Sequence, residues 1–515
     1  MFRLALINPP YLDEESFEKS LAPMGICYIA AYLENMNIAC DVYDFSSSDL
    51  SNDELIEKYQ LVSYNLIAFS TYTCSFKDTV ALAEAIKNHN SKVIIIMGGH
   101  HVTLAPSEVL RDFPVVDFVT VGYGEQLMFD LVSALNKGYS YKDIPGIGYK
   151  DGENIVVNDT VINDINLDLI PFPKREIVTD YGYNTANLIE GKKIINIVTS
   201  RGCVYNCHFC VNTKNNHWLP RSVNNVIDEM KNLYDGNQFN HIFFTDCNFL
   251  IDPYRAMEIV EKVYEFNKNI TMNFHARCDQ IVKYEKIIRK MGAAGCAFIN
   301  VGVESNSEAV LKRFNKRISP ETNQHAIEIL KDAGIHPNVY MIMFEALVTI
   351  DDIYESYIFL KKNKLTNFVG VHNLYNSLMP FYGTPYWNNY GEFYTQTIHG
   401  ISKTYFQNKD VKKFYYVIKL LREEYEKEIS SQVAVFMKLQ VTHPKLIDKN
   451  LYQNYILVQN FQYIAFEKLL EYYKNQKELI SYVELKANPL ISDYINVIEE
   501  NRVLLKEIES YYSFN

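Results

Sequence analysis

No stretch of this sequence approaches the roughly 18–20 uninterrupted apolar residues that a membrane helix requires, so no membrane insertion is expected. Positive charge is scarce too: 50 Lys and Arg stand against 62 Asp and Glu, a net charge of -12. A general nucleic-acid binder normally presents a basic face, so no nucleic-acid partner is expected. The opening Met1–Glu15 holds one Arg and a strand-length apolar run that breaks at Pro9-Pro10 and turns acidic. No secretory leader is expected, and a cytoplasmic, reducing location is the expectation. In such a compartment the nine cysteines are poor disulfide candidates, and clustered ones are better read as metal ligands or reactive thiols. Glycine is absent after Gly400, and neither an internal repeat nor a low-complexity tract is present.

What is present is a soluble-type balance of 48% hydrophobic and 22% charged residues. A chain of 515 residues predicts about three domains. Residues 1–135 alternate strand and helix patterns: strands at Arg3–Ile7, Ala39–Tyr43, Leu66–Ser70, Lys92–Met97 and Phe118–Val121, helices at Gly25–Met36, Lys77–Asn88 and Glu125–Ala134. Continuous apolar strands between helices predict a parallel sheet covered on both faces, with ligands bound at the carboxyl ends of its strands. Residues 136–190 are turn-rich, a linker with a small hairpin around Asp151-Gly152. Strand patterns resume at Ile194–Ser200, His241–Thr245, Thr271–His275, Ala297–Gly302, His336–Met341 and Phe368–Asn373, which suits a partial or full parallel barrel. Ser319-Pro320 is an N-cap and first-turn pair for one of the intervening helices. Segments Asp410–Ile429, Asn454–Lys477 and Pro489–Ser513 have helical apolar spacing and predict a helical tail.

The sharpest motif is Ser200-Arg201-Gly202-Cys203-Val204-Tyr205-Asn206-Cys207-His208-Phe209-Cys210, directly after the first barrel strand. A loop this tight lets three thiolates converge on one inorganic centre, zinc or iron–sulfur. No fourth cysteine follows nearby, so a structural zinc site would need a distant Cys or His. Three ligands on a four-iron cluster leave one iron open. The other cysteines have plainer readings. Cys27 and Cys40 sit in core patterns, Cys74 lies in a ligand-facing loop, and Cys247, Cys278 and Cys296 lie near barrel strand ends.

The C-x3-C-x2-C loop, with Phe209 just before its third cysteine, resembles the radical S-adenosylmethionine superfamily. The resemblance implies a [4Fe-4S] cluster on Cys203, Cys207 and Cys210, with S-adenosylmethionine on the open iron. It places Phe209, Thr245, Asp246, Asn248, Arg277 and Glu304 against S-adenosylmethionine. Relatives often carry a Gly-Leu-Pro-Gly-Glu-like turn after the fifth strand; Met341–Leu347 has neither glycine nor proline.

The set Asn8-Pro9-Pro10, Pro23-Met24-Gly25, Met97-Gly98-Gly99-His100-His101 and Val121-Gly122-Tyr123-Gly124-Glu125 resembles the cobalamin-binding domain fused to many such enzymes, and Pro171–Arg175 resembles their linker. The cobalamin contacts so implied are Asn8, Pro9, Ser70, Thr71, Tyr72, Gly98, Gly99, His100, Thr103, Gly122, Gly124 and Glu125. No Asp-x-His-x-x-Gly stretch exists, so a bound cobalamin is expected to lack a His ligand on its lower face.

The expected architecture is α/β: a Rossmann-like cobalamin-binding sheet (1–140), a linker (141–190), a partial (β/α) radical barrel (191–390) and an all-α domain (391–515). The implied activity is a cobalamin-dependent methyltransferase acting on an unactivated carbon through a 5′-deoxyadenosyl radical. The alternative is a non-methylating radical reaction such as cyclisation, ring rearrangement or oxidation. Expected partners are a small-molecule or peptide substrate and an electron donor such as flavodoxin or ferredoxin.

Overall fold

The computed structural model describes residues 2–10, 21–160, 165–175, 193–214, 217–237, 239–366, 372–395, 403–442, 447–476 and 482–512. The chain divides into two compact units. One comprises Met1–Asn300, Glu328–Pro337 and Met379–Lys403, the other Val301–Ile327, Asn338–Leu378 and Thr404–Asn515.

The first unit begins with β1 (Leu4–Asn8), α1 (Met24–Asn35), β2 (Asp41–Asp44), α2 (Asn52–Tyr59), β3 (Leu66–Ser70), α3 (Phe76–His89) and β4 (Ile94–Gly98). It continues with α4 (His100–Leu104), α5 (Pro106–Asp112), β5 (Phe118–Thr120), α6 (Gly124–Lys137), β6 (Ile147–Asp151) and β7 (Asn154–Val157). The sheet order is β2-β1-β3-β4-β5-β6-β7. The first five strands are parallel, with Ala5 opposite both Asp41 and Ile67, Ile67 opposite Ile95, and Ile96 opposite Phe118. Alternate residues feed two cores. Ile7, Phe69, Ile95 and Met97 face one, Leu6, Ala68 and Ile96 the other. Both faces are covered, which is why the strands are apolar throughout. The predicted hairpin is there, but it is part of the sheet: β6 pairs antiparallel with β5 and with β7.

The chain then forms β8 (Ile194–Ile197), β9 (Ser200–Gly202), β10 (Trp218–Pro220), α7 (Val223–Asn237), β11 (His241–Phe244), α8 (Pro253–Phe266), β12 (Thr271–Arg277), α9 (Cys278–Lys283), α10 (Glu285–Ala293) and β13 (Cys296–Glu304). β11 lies parallel between β8 and β12, with Phe243 opposite Asn196 and Asn273. Met272 N–H donates to Gly295 O at 3.0 Å, where β13 begins.

The linker motif is pinned to this unit. Lys174 N–H donates to Cys27 O at 3.2 Å, Lys174 pairs with Glu34 at 2.7 Å, and Arg175 pairs with the buried Glu229 at 2.6 Å and donates to Asn196 O at 2.7 Å.

Next come α11 (Glu308–Arg313), α12 (Pro320–Asp332), β14 (His336–Met341), α13 (Ile350–Lys362), α14 (Pro385–Tyr390), α15 (Lys409–Thr442), α16 (Lys449–Gln476), α17 (Tyr482–Lys486) and α18 (Pro489–Tyr512). The start of α12 is as the sequence predicts, with Ser319 Oγ accepting from Thr322 N–H at 3.3 Å. In the second unit Ile342 N–H donates to Glu304 O at 2.7 Å, where β13 ends. The stretch lacking glycine and proline is buried there, with Glu345 paired to Arg313 at 2.7 Å. The helical tail packs through aromatic and amide contacts: Phe436 stacks on Tyr455 with centroids 3.8 Å apart, Phe414 meets Phe466 at 5.0 Å, and Gln432 donates to Ile498 O at 2.8 Å. The predicted strand Phe368–Asn373 falls mostly outside the described residues, and His372–Leu374 form a helical turn instead. No helix of the described residues is long and apolar enough to cross a membrane.

Candidate functional site

The three-cysteine loop has a stem. β9 and β10 pair antiparallel, Gly202 opposite Trp218 and Ser200 opposite Pro220, so the loop is pinched at its base. Gly202 has φ +80, which turns the chain sharply into Cys203. Within the loop Cys210 N–H donates to Cys207 O at 3.0 Å, and Tyr386 N–H of α14 donates to His208 O at 3.0 Å. The stem is held by Asp246, which is 1% exposed. Its carboxylate accepts from Thr199 N–H at 2.7 Å, Thr199 Oγ1 at 2.6 Å and Ser200 Oγ at 2.5 Å. Burial is the largest influence on this carboxyl and raises its pKa; the Ser200 and Thr199 hydrogen bonds oppose it. Arg255 completes the brace, donating to Thr199 O at 2.7 Å and Arg221 O at 2.9 Å.

Arg277 Nη1 donates to Cys207 Sγ at 3.3 Å, its guanidinium lies 4.0 Å from the Tyr205 ring centroid, and its Nε pairs with Asp279 at 2.9 Å. Burial pushes the Cys210 thiol up to about 11. Among the described residues no three His, Cys, Asp or Glu side chains are drawn together as a metal site. Three soft ligands on one braced loop fit an iron–sulfur cluster.

Above the carboxyl ends of β1, β3, β4 and β5 opens a cleft enclosing about 1540 Å³ of space, its mouth included. Strand order reverses beside β1, the place where open α/β sheets bind ligands. Ser70, Tyr72, Gly98, Gly99, His100, Thr103, Gly122, Gly124 and Glu125 all line it. The opposite wall is Ser200, Arg201, Gly202, Val211, Asn212, Thr245 and Cys247, the surroundings of the cysteine loop. Gly99 has φ +96, and a Cβ there would stand 2.5 Å from Thr71 O. Desolvation by the surrounding protein lowers the His100 pKa from its ordinary value. This broad cleft, glycine-floored and lined by the His100 imidazole, fits a large planar cofactor.

Asn8, Pro9 and Thr71 do not line the cleft. Asn8 Nδ2 donates to Asp44 at 2.8 Å, tying β1 to β2, while the buried Thr71 Oγ1 donates to Gly98 O at 2.7 Å. Of the residues expected against S-adenosylmethionine, Thr245 lines the cleft; Phe209, Asp246, Asn248 and Arg277 do not. Glu304 belongs to the second unit. Its backbone has φ +64, strained for a non-glycine residue, and it pairs with the buried Lys316 at 3.1 Å.

The sequence reading missed Arg201 as a wall residue. Its Nη2 lies 2.6 Å from Glu125 Oε1, and its guanidinium stands 4.8 and 5.1 Å from the Tyr28 and Tyr123 ring centroids. A cation two residues before the first cysteine, in a chain whose facing loop ends in Glu125, was the available signal.

Residues 197–360 match the Radical SAM superfamily and residues 15–132 the B12 binding domain. The chain belongs to the radical S-adenosylmethionine enzymes that carry a B12-binding domain. It is 27% identical over 342 residues to an uncharacterised methyltransferase of Pyrococcus horikoshii, covering 65% of this chain and 72% of that protein. It is 25% identical over 375 residues to the anaerobic magnesium-protoporphyrin IX monomethyl ester cyclase of Rubrivivax gelatinosus, covering 69% and 65%. The structure of the cobalamin-dependent S-adenosylmethionine radical enzyme OxsB, with aqua-cobalamin and S-adenosylmethionine bound, matches with a TM-score of 0.77 over 100% of this chain and 81% of OxsB, at 18% identity.

Proposed function

We propose that this enzyme methylates an unactivated carbon of a small-molecule or peptide substrate. The observation that carries the reading is the shared cleft: the glycine-rich loops of the B12-matching sheet form one wall and the surroundings of the cysteine loop the other. The methyltransferase relative agrees with it.

When bound, the cluster, S-adenosylmethionine and cobalamin supply one-electron C–S cleavage, hydrogen abstraction and a transferable methyl group. The chain supplies the rest. Cys203, Cys207 and Cys210 hold the cluster, and Arg277 places a cation beside the Cys207 sulfur, which tunes its potential. Gly98, Gly99 and His100 offer a close-approach surface for the corrin, and Thr245 offers a hydroxyl to S-adenosylmethionine. The Arg201–Glu125 pair fixes the distance between the two walls. The electron comes from a flavodoxin- or ferredoxin-like donor, in the cytoplasm.

The test is anaerobic purification from cobalamin-supplied cells, then counts of iron, sulfide and cobalamin per chain and assay of the products of S-adenosylmethionine. About four irons and one cobalamin are expected, with S-adenosylhomocysteine formed alongside 5′-deoxyadenosine. The cyclase relative favours a second reading, a non-methylating radical reaction; 5′-deoxyadenosine without S-adenosylhomocysteine would establish it over the first. A full cluster without cobalamin overturns the methyltransferase reading and points to a cobalamin-independent radical reaction.

A further inference from the structure

We propose that Cys247 is a fourth thiol of the iron–sulfur site, closing the open iron until S-adenosylmethionine arrives. The inference rests on the cluster being carried by Cys203, Cys207 and Cys210.

Asn212 joins Cys247 to that loop. Its Nδ2 lies 3.8 Å from Cys210 Sγ and 3.2 Å from Cys247 Sγ, so one amide spans the two sulfurs. Cys247 follows Asp246, the residue that clamps Thr199 and Ser200 at the loop's stem, so its position relative to Cys203 is set by a braced element. Cys247 is exposed, and it lines the cleft together with Asn212. The same strand exit holds polar atoms that find no partner among the described residues: Thr245 Oγ1 in the cleft wall, and Nδ2 of Asn248, a residue only 2% exposed. A thiol in the cleft wall, joined through one amide to a cysteine of the loop and set beside the unpartnered Thr245 hydroxyl, is placed to exchange with a polar ligand.

The exchange is redox-neutral. An S–Fe bond forms as the Cys247 thiol gives its proton to solvent. When the amino nitrogen and carboxylate oxygen of S-adenosylmethionine take the iron, that bond breaks and the sulfur recovers a proton. The gate keeps the fourth iron from being lost before the substrate sulfonium is in place.

The experiment uses the anaerobically reconstituted full chain, wild type and Cys247→Ala, each with matched iron and sulfide counts. Ferricyanide oxidation is followed by electron paramagnetic resonance for the three-iron species that forms when an open iron is lost. Wild type without S-adenosylmethionine should give little of it, and Cys247→Ala should give it in most clusters. S-adenosylmethionine should bind the variant roughly tenfold more tightly if the closed form holds about nine-tenths of wild-type molecules. An equal three-iron signal in both proteins overturns the gate and leaves the cluster assignment standing. Wild-type protein that loads no four-iron cluster overturns the cluster assignment itself. Should Cys247→Ala load no cluster, the wild-type arm alone decides, because a strong three-iron signal there refutes the gate.

Discussion

The Arg201–Glu125 contact carries a quantitative prediction. Side-chain exposures of 13% and 7% make this a buried pair, and its N–O separation is 2.6 Å. At an effective dielectric of about 20, unit charges about 4 Å apart interact by about 4 kcal/mol. Desolvation offsets much of that in the intact pair, so removing both partners should be mild. Removing one leaves the other charge buried without its counter-ion, at about 3–5 kcal/mol. Arg201→Met also loses the two ring contacts, whereas Glu125→Gln keeps them. Both single variants should therefore cost about 3–5 kcal/mol and the double variant less than either single, so the coupling should be at least about 3 kcal/mol. Trp218 is the natural probe, since it pairs with Gly202, one residue from Arg201. The sequence has one other tryptophan, Trp387, so urea unfolding in a Trp387→Phe background reports on the stem alone. Costs that add to within about 0.5 kcal/mol would show that the two side chains act independently and would refute the argument.

Three more expectations rest on separate residues. Asp246→Ala orphans Thr199 and Ser200 donors in a buried brace; it should cost about 3–5 kcal/mol in urea unfolding and lower the iron bound per chain, and unchanged iron loading would contradict a bracing role. Gly99→Ala forces a Cβ into Thr71 backbone at a φ that only glycine holds easily; cobalamin retention should fall while iron content holds, and undiminished retention would mean that Gly99 does not shape the cleft floor. His275, on β12 with its ring 5.2 Å from that of Phe243, is held by burial down to about 4. The unfolded chain therefore takes up the proton first. Its contribution is constant above about pH 6.5 and is lost as pH falls below that, about 2 kcal/mol by pH 5; His275→Gln should flatten the urea stability profile across that window, and an unchanged slope would point to another group.

Much of this was legible in the sequence where burial is two-sided. Leu66–Ser70 is a strand to the residue because a parallel strand covered on both faces is apolar nearly throughout, and His336–Met341 because its alternate residues Pro337, Val339 and Met341 are buried. The three cysteines were legible from spacing. What escaped was pairing that depends on distant partners. Ser200–Gly202 and Trp218–Pro220 are too short to show alternation, so the stem of the loop was invisible. Polar residues at strand ends were ambiguous for a related reason. Ser70 and His100 face the cleft, while Asn8, Thr71 and Asp246 turn sideways and tie neighbouring strand ends together. Both choices satisfy a polar group at the edge of an apolar sheet, and only the three-dimensional neighbours select between them. The hairpin was seen as an appendage because nothing local in Ile147–Asp151 announces that its partner is β5.

The stem explains why one cleft can serve two chemistries. Ser200, Arg201 and Gly202 are wall residues of the cleft, and the next residue is the first cysteine of the loop. Gly202, at φ +80, makes the turn between them. Arg201 is held from the sheet side by Glu125 at the start of α6, while Ser200 and Thr199 are held from the barrel side by Asp246. A displacement of either wall must pass through three residues that are hydrogen-bonded or ion-paired on both sides. Packed, satisfied networks of this kind resist small shifts instead of absorbing them. The contacts on the two sides of the stem thus hold the glycine-rich floor and the cysteine loop in register. Radical chemistry demands such register, because a reactive carbon misplaced by about 1 Å can lose about a hundredfold in rate.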